Sequence, residues 1–313
     1  MIYRTKLILA LIILLAAGAS AQGPVEGKVD FMENFVEVKG IGIPAANVPA
    51  DSPQAYATAR RAAVVDANRN LAEMVSTIQI DSQSVNELSA AVQDTVRSSV
   101  SARIRGGQTV RETTMTEFVG NDVEKRGKVE VFIRVPLNGS GGVLSAIMPG
   151  LAPEIIKRTN EANLPAFVPP PVAAAAPAPA PRPAAPPAAP PAAPPAPDAS
   201  EYDGLIVRVP ASFKPAIAPK IFTDKGEVLY SAKDVAMDIL ISRGAAQYTN
   251  NEGKAKAVLE GMGSKAILSL DGGIRTDTDA EIKGADAAKV FGANKKTSFL
   301  NKGRVVFLVS RSL

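Results

Sequence analysis

The sequence contains no cysteine, no histidine and no tryptophan among its 313 residues. These absences exclude nucleophilic catalysis by Ser-His-Asp or Cys-His groups, thiolate redox chemistry, Cys/His zinc sites and haem attachment through Cys-x-x-Cys-His. They also exclude disulfide bonds and a lipid anchor on an N-terminal cysteine. Carboxylate, lysine, tyrosine and hydroxyl chemistry remain available. We therefore expect no catalytic, cofactor-binding or metal-binding residues of the common kinds.

Residues 1–22 have the pattern of an export signal. Arg4 and Lys6 form a positive amino-terminal region, and residues 7–17 form an apolar core. The predicted cleavage site consists of Ala19, Ala21 and Gln22. The apolar core is much shorter than the ~20 residues that span a bilayer, so a retained anchor is the less favoured alternative. We expect a protein of the periplasm or outer-membrane periphery, with no integral membrane span after cleavage.

The charge of the chain is close to balanced. Its formal net charge is +4, and Arg4 and Lys6 would leave with the signal peptide, which lowers the charge to +2. Lysine and arginine are scattered along the chain, whereas nucleic-acid-binding proteins usually concentrate them in a stripe beside stacking aromatic residues. The sequence therefore predicts no nucleic-acid partner.

Proline is concentrated in one segment, because 15 of the 25 prolines fall between Pro165 and Pro197. Such a Pro/Ala-rich segment cannot build a core and is typical of a disordered, semi-rigid spacer that reaches roughly 100 Å when extended. A passive tether and a spacer between two attachment points both remain open. The predicted organisation is a signal peptide at 1–21, a first domain at 22–150, a linker at 151–202 and a second domain at 203–313.

The first domain is predicted to combine a sheet with helices. Hydrophobic alternation predicts a strand or hairpin over residues 28–43 and paired strands over 109–119 and 128–137. Ser52 and Pro53 are typical of the start of a helix, and the following stripe is rich in alanine, which lets the helix lie close to its neighbour. Ser84 and Glu87 form a capping box that predicts the start of a second helix.

The second domain is also predicted to mix strands and helices. Predicted strands cover 204–209, 216–222, 227–230, 266–270 and 305–309, and predicted helices cover 233–243, 250–262 and 285–291. The continuous apolar run of the last strand indicates a central position in its sheet. The predicted fold class is α+β, with two small two-layer α/β sandwich domains joined by the disordered linker.

Two motifs partly match patterns that proteins use to bind cofactors or metal ions. Gly40 and Gly42 superficially fit a dinucleotide fingerprint, but prolines delay the following helix, so a tight turn is favoured. The carboxylates of Asp277, Asp279 and Glu281 alternate as in a calcium loop, but the glycine and glutamate that an EF-hand needs further along are missing. A solvated acidic turn is therefore favoured for this segment.

The first domain resembles a known family. The residues that carry the resemblance are the strand end at Gly40 and Gly42, the helix 59–73, and the strand 129–137. They are similar to the amino-terminal domain of the flagellar protein FlgT and to small envelope lipoproteins of the Lpp-twenty type. The stretches 204–221 and 280–287 resemble the carboxy-terminal region of longer members. The resemblance implies a non-enzymatic protein of the periplasm or outer-membrane face.

The sequence therefore favours an exported, non-enzymatic envelope protein that acts as a binding or assembly module. Flagellar or surface-structure assembly is the role that the resemblance implies. Expected partners are envelope or flagellar proteins or peptidoglycan, and a homo-oligomer is compatible with the pattern. Two alternatives remain open: a carboxylate-dependent hydrolase of envelope polymers and a self-assembling ring or filament subunit.

Overall fold

A computed structural model gives the fold of two units, the N-terminal unit (26–169) and the C-terminal unit (201–310). The structure describes residues 26–49, 52–81, 83–103, 108–112, 127–139, 141–169 and 201–310. The N-terminal unit contains β1 (Gly27–Asp30), β2 (Phe35–Gly42), α1 (Pro53–Ser76), α2 (Ala90–Arg103), β3 (Gln108–Glu112), β4 (Val129–Pro136) and α3 (Val143–Glu161). The C-terminal unit contains β5 (Gly204–Val209), β6 (Ile221–Thr223), β7 (Val228–Tyr230), α4 (Met237–Arg243), β8 (Gln247–Thr249), α5 (Glu252–Gly261), β9 (Ile267–Asp271), β10 (Gly273–Thr276), β11 (Asp279–Ile282), α6 (Gly284–Thr297) and β12 (Val305–Val309).

The N-terminal unit is an antiparallel sheet with strand order β1-β2-β4-β3, covered on one face by α1. The predicted hairpin is confirmed, since β1 and β2 pair antiparallel. The predicted helix start is also confirmed: the Ser52 hydroxyl accepts a hydrogen bond from the backbone N–H of Ala55 at 3.1 Å, and Pro53 takes the first helical position. This cap satisfies one of the free amides that every helix start exposes.

Gly40 and Gly42 lie inside β2, where α1 crosses the sheet at very close range. A Cβ added at Gly42 would stand 2.0 Å from the carbonyl oxygen of Ala59, and one added at Gly40 would stand 2.1 Å from that of Ala63. The prediction of a tight turn at these glycines is therefore wrong. They remain without side chains because the alanine stripe of α1 needs that space, and the predicted close approach of this helix is confirmed.

The second helix begins later than the capping box suggested. Glu87 accepts a hydrogen bond from the backbone N–H of Ser84 at 2.7 Å, as a capping box requires, but the box opens only a 3₁₀ turn at Val85–Glu87. Leu88 then takes an extended conformation with ψ near 174°, which interrupts the helical path. The α-helix starts at Ala90. The capping-box hydrogen bond was therefore predicted correctly, but the prediction that an α-helix begins there was wrong.

The C-terminal unit contains two four-stranded sheets. One is fully parallel with order β8-β12-β5-β9, and the other is mixed with order β10-β11-β6-β7. The central position predicted for β12 is confirmed, because this strand lies between β5 and β8. Helix α5 packs against β12, β8 and β5, with Ala255 and Leu259 buried against Ile206 and Val306.

Several predicted boundaries in the C-terminal unit are corrected. The strand expected over 216–222 is shorter and covers Ile221–Thr223, because Ile217 and Ala218 use their N–H groups to bond to the N-terminal unit. The helix expected over 233–243 splits into a 3₁₀ turn at Ala232–Asp234 and α4. Helix α6 runs to Thr297, six residues beyond the predicted end at Phe291.

The predicted linker, 151–202, starts too early. Helix α3 continues to Glu161 and packs on α2 of the N-terminal unit and on α4 of the C-terminal unit. Residues 165–167, which we name the strap, then pair with β7: the Phe167 N–H donates to the Val228 carbonyl at 3.0 Å, and the Val228 N–H donates to the Pro165 carbonyl. Residues 170–200 of the predicted linker lie outside the described residues.

The two units share one continuous hydrophobic core, which joins buried residues of α1, α3, the strap and the C-terminal sheets. The α+β class is confirmed for both units. The finding that the sequence did not predict is that the units lie directly against each other. Helix α3 and the strap therefore act as packing elements between the units rather than as the start of a spacer.

Candidate functional site

The face of the N-terminal sheet opposite α1 carries alternating charged and aromatic side chains, and we name it the outer face. Along β4, Val129, Val131 and Ile133 are buried towards the helix, whereas Phe132 and Arg134 point the other way. Successive residues of a strand point to opposite faces, so this alternation alone separates the two faces. This site was not predicted from the sequence. The signal that could have revealed it is the alternation of charged residues with valine along β2 and β4.

Lys39 lies at the centre of an ion-pair cluster on the outer face. Its ammonium group lies 2.9 Å from the Glu26 carboxylate and 3.0 Å from that of Glu130, and Lys128 lies 2.9 Å from Glu130. The hydrogen bond to Glu26 and the attraction of Glu130 raise the pKa of Lys39 against the opposing effect of burial. The hydrogen bonds from Lys128 and Lys39 lower the pKa of Glu130. Both groups are therefore held charged over a wide pH range.

A second pair of opposite charges crosses the same face. The Arg134 guanidinium donates two hydrogen bonds to one carboxylate oxygen of Glu37, at 2.7 and 3.0 Å, between residues directly opposite on β4 and β2. The guanidinium also lies 4.0 Å from the centre of the Phe35 ring, with the Lys28 ammonium at 4.7 Å from the same ring. Charge-assisted and cation–π contacts of this kind fix long side chains in place.

A shallow groove of about 250 Å³ runs along the outer face. Its lining residues are Glu26, Gly27, Lys28, Glu37, Val38, Lys39 and Phe132. The lining offers charges of both signs, backbone groups of β1 and β2, and one aromatic ring. Such a surface suits an extended polar chain that carries both charges or none, and it does not suit a polyanion, which would meet carboxylates as well as lysines.

The acidic turn of the C-terminal unit is held by protein groups. Asp277 pairs with Lys214 at 2.5 Å, and Glu281 pairs with Arg275 at 2.9 Å. Asp279 is buried and accepts hydrogen bonds from the Lys220 N–H and from a threonine hydroxyl. Each carboxylate faces a different protein partner. The expectation of a solvated acidic turn fits the exposed Asp277 but is wrong for Asp279, which lies buried at the start of β11. Among the described residues, no group of three or more carboxylates is arranged to hold a metal ion.

A further charged cluster lies at the carboxyl ends of the parallel strands, where ligands commonly bind in open α/β sheets. Arg208 lies 3.5 Å from Glu252 and 3.6 Å from Asp271. Lys256 and Arg208 lower the pKa of Glu252. Beside this cluster, Lys254 pairs with Glu33 of the N-terminal unit at 3.0 Å. The turn of the β1–β2 hairpin thus occupies part of the edge where a ligand would otherwise bind.

The predicted signal-cleavage residues Ala19, Ala21 and Gln22 lie outside the described residues. Asp66 of α1 accepts a hydrogen bond from the Ile41 N–H at 3.0 Å and so ties α1 to β2. Within the described ranges, the helices are all too short or too polar to cross a bilayer.

Comparison with known proteins bears on the C-terminal unit. Residues 198–311 match the family described as Treponema pallidum Tp0624, second domain. No curated protein gives a significant match to the chain. The matched region begins just before β5 and ends after β12, and it includes neither α3 nor the strap, so the region that this chain shares with that family is the C-terminal unit.

Proposed function

We propose that this protein is an exported, non-enzymatic component of the cell envelope that binds a partner protein through the outer face. The observation that carries this proposal is the groove beside Lys39, whose charged walls are fixed by ion pairs. The signal-peptide pattern of residues 1–22 supports export. Flagellar or surface-structure assembly is the finer role that the resemblance of the first domain to FlgT and Lpp-twenty proteins supports.

A protein segment fits the outer face better than a polymer of one charge. Among the side chains that the structure describes, those of β1, β2, β4 and their flanking residues place four cations and four anions on this face: Lys28, Lys39, Lys128, Arg134, Glu26, Asp30, Glu37 and Glu130. Interfaces with mixed charges select partners by complementary pattern, and an aromatic residue among them supplies apolar contact area. Phe132 is placed to serve this purpose in the groove.

Site-specific photo-crosslinking in intact envelopes tests the proposal. A photo-reactive phenylalanine analogue replaces Lys28, whose side chain is 56% exposed at the rim of the groove. The matched control replaces Val65, which is 64% exposed on the outward side of α1. We expect a discrete crosslinked product from position 28 in the envelope fraction, and mass spectrometry identifies the partner.

Three outcomes would contradict the proposal. Equal labelling from positions 28 and 65 would remove the outer face as the binding site. A tagged chain that stays in the cytoplasmic fraction would remove the envelope role. A crosslink at position 28 to glycan fragments alone would replace the protein partner by peptidoglycan.

A further inference from the structure

The two units of this chain meet in an interface that contains main-chain hydrogen bonds, aromatic contacts and an ion pair. Main-chain hydrogen bonds cross the interface, since Ile217 donates to the Gln79 carbonyl at 2.9 Å and Ala218 donates to the Ile80 carbonyl at 2.7 Å. A third joins the Gly139 N–H to the Ser242 carbonyl at 2.9 Å. Main-chain hydrogen bonds do not depend on side-chain identity. These bonds would form in the same way whether the two units belong to one chain or to two.

Side chains add specificity to the same interface. Phe31 of the N-terminal unit packs edge-to-face on Tyr248 with ring centres 5.6 Å apart. Phe167 of the strap is 8% exposed and packs on Phe291 of α6 in the same manner. Asp81 faces Lys220 across the boundary at 3.7 Å, with both side chains largely buried. Separation of the units would expose these rings and carboxylate, so each unit needs an occupant for its docking surface.

The segment that joins the two units does not determine which chain supplies the C-terminal unit that docks on a given N-terminal unit. The described part of the N-terminal unit ends at residue 169, and the described part of the C-terminal unit begins at residue 201. The 31 residues between them are rich in proline and alanine, and a segment of that composition spans roughly 100 Å when extended. A tether of this length allows the C-terminal unit to reach the N-terminal unit of a neighbouring chain.

We propose that the C-terminal unit is a self-recognition module that docks on the N-terminal unit of a second copy of this chain as well as on its own. The second copy presents the same α3, strap and hairpin turn, so the exchanged contacts equal the internal ones. The internal arrangement is favoured by an effective concentration on the order of 1 mM for a flexible tether. Exchange therefore increases where copies are crowded. This inference does not depend on the envelope role.

Isotope-coded crosslinking of the full chain tests the exchange without any substitution. Equal amounts of ¹⁴N- and ¹⁵N-labelled protein are unfolded together, refolded at low and high concentration, and treated with a zero-length carbodiimide. The reporter is the Lys254–Glu33 pair across the interface, at 3.0 Å. The control is the Lys39–Glu26 pair inside the N-terminal unit, at 2.9 Å. Mixed-isotope peptides at the reporter arise only when the two units come from different chains.

We expect the mixed-isotope share of the Lys254–Glu33 peptide to rise about tenfold or more between 10 μM and 1 mM, as competition with a millimolar effective concentration requires. The Lys39–Glu26 peptide should stay isotopically pure at both concentrations. A Lys254–Glu33 peptide that also stays pure at 1 mM would overturn the proposal. A mixed share equal at both pairs would show non-specific association and would overturn it as well.

A second measurement reports on the strap, and it uses the natural absence of cysteine. Chains carrying only Ala166→Cys are co-refolded with chains carrying only Val228→Cys, since these residues are bridge partners. The control mixture pairs Val65→Cys with Val228→Cys. Exchange predicts a mixed disulfide-linked dimer for the 166/228 mixture that exceeds the control several-fold at 1 mM, and equal yields from both mixtures would count against it.

Discussion

The close approach of α1 to β2 makes Gly42 a position at which one added methyl group would clash with the backbone of the helix. In Gly42→Ala, the new Cβ would stand 2.0 Å from the Ala59 carbonyl oxygen and 2.3 Å from the Ala63 nitrogen. Both atoms belong to the helix backbone, so no side-chain rotation relieves the contact. The helix has to move away from the sheet by roughly 1.2–1.5 Å to restore normal contact distances of roughly 3.5 Å.

That displacement affects the whole buried stripe of α1, which consists of Ala55, Ala59, Ala63, Ala67, Leu71 and Val75. A gap of about 0.5–1 Å removes a quarter to a half of the dispersion attraction of each contact. Overpacking in a well-packed core usually costs about 1–3 kcal/mol. Because the clash here is with backbone atoms, we expect Gly42→Ala to lower the free energy of unfolding by about 3 kcal/mol, at the upper end of that range.

Urea denaturation followed by circular dichroism measures this loss as a shift of the transition midpoint at constant slope. The matched control is Gly292→Ala in α6, where an added Cβ meets no atom within 4 Å. Alanine is the better helix former, so the control should gain up to about 1 kcal/mol. A Gly42→Ala variant within about 0.5 kcal/mol of the parent chain, inside the usual range for unconstrained surface sites, would refute the close-contact argument.

Three further predictions concern single residues. Hydrogen bonds from Lys128 and Lys39 lower the pKa of Glu130, which supplies stability above about pH 4.5 that disappears as the pH falls through the folded-state pKa. Lys128→Met removes the larger cause and should weaken the pH dependence of unfolding between about pH 5 and 3; an unchanged profile would contradict the ion-pair network. Tyr248→Phe should cost about 1–3 kcal/mol in thermal unfolding, because the hydroxyl both donates to and accepts from the buried backbone of Ala216, and no loss would argue against that pairing. Gly244→Ala should lower the unfolding midpoint by an amount equivalent to about 1–3 kcal/mol, since φ is +74° with ψ near −174°, and an unshifted midpoint would contradict this backbone requirement.

Local signals in the sequence predicted many elements of the fold. Ser52 and Pro53 predicted the start of α1 because capping depends on neighbouring residues alone. The apolar runs predicted Gly204–Val209 and Val305–Val309 because strands buried on both faces need continuous hydrophobic residues. The predicted end of α4 at residue 243 is also confirmed, because Gly244 follows with a positive φ that glycine adopts without strain.

Non-local contacts caused the misses. The apolar stretch around Ile217 and Ala218 was predicted as a strand within its own domain, but its amides bond to the N-terminal unit instead. Helix α3 contains Pro149 and Pro153, which disfavour a helix interior, yet its buried face packs between the two units. The outer face was missed because alternation predicts that one side of a strand is polar without indicating which charges meet.

The sequence by itself determined the absence of cysteine and histidine chemistry, the α+β class and the start of α1, because these depend on composition and on residues near each other in the chain. Tertiary structure decided why Gly40 and Gly42 are glycine, which charges surround Lys39, and that the two units dock directly. These features join residues that are distant in the chain, and only packing and electrostatics in the folded protein bring them together. The proline-rich segment therefore connects two units that already contact each other.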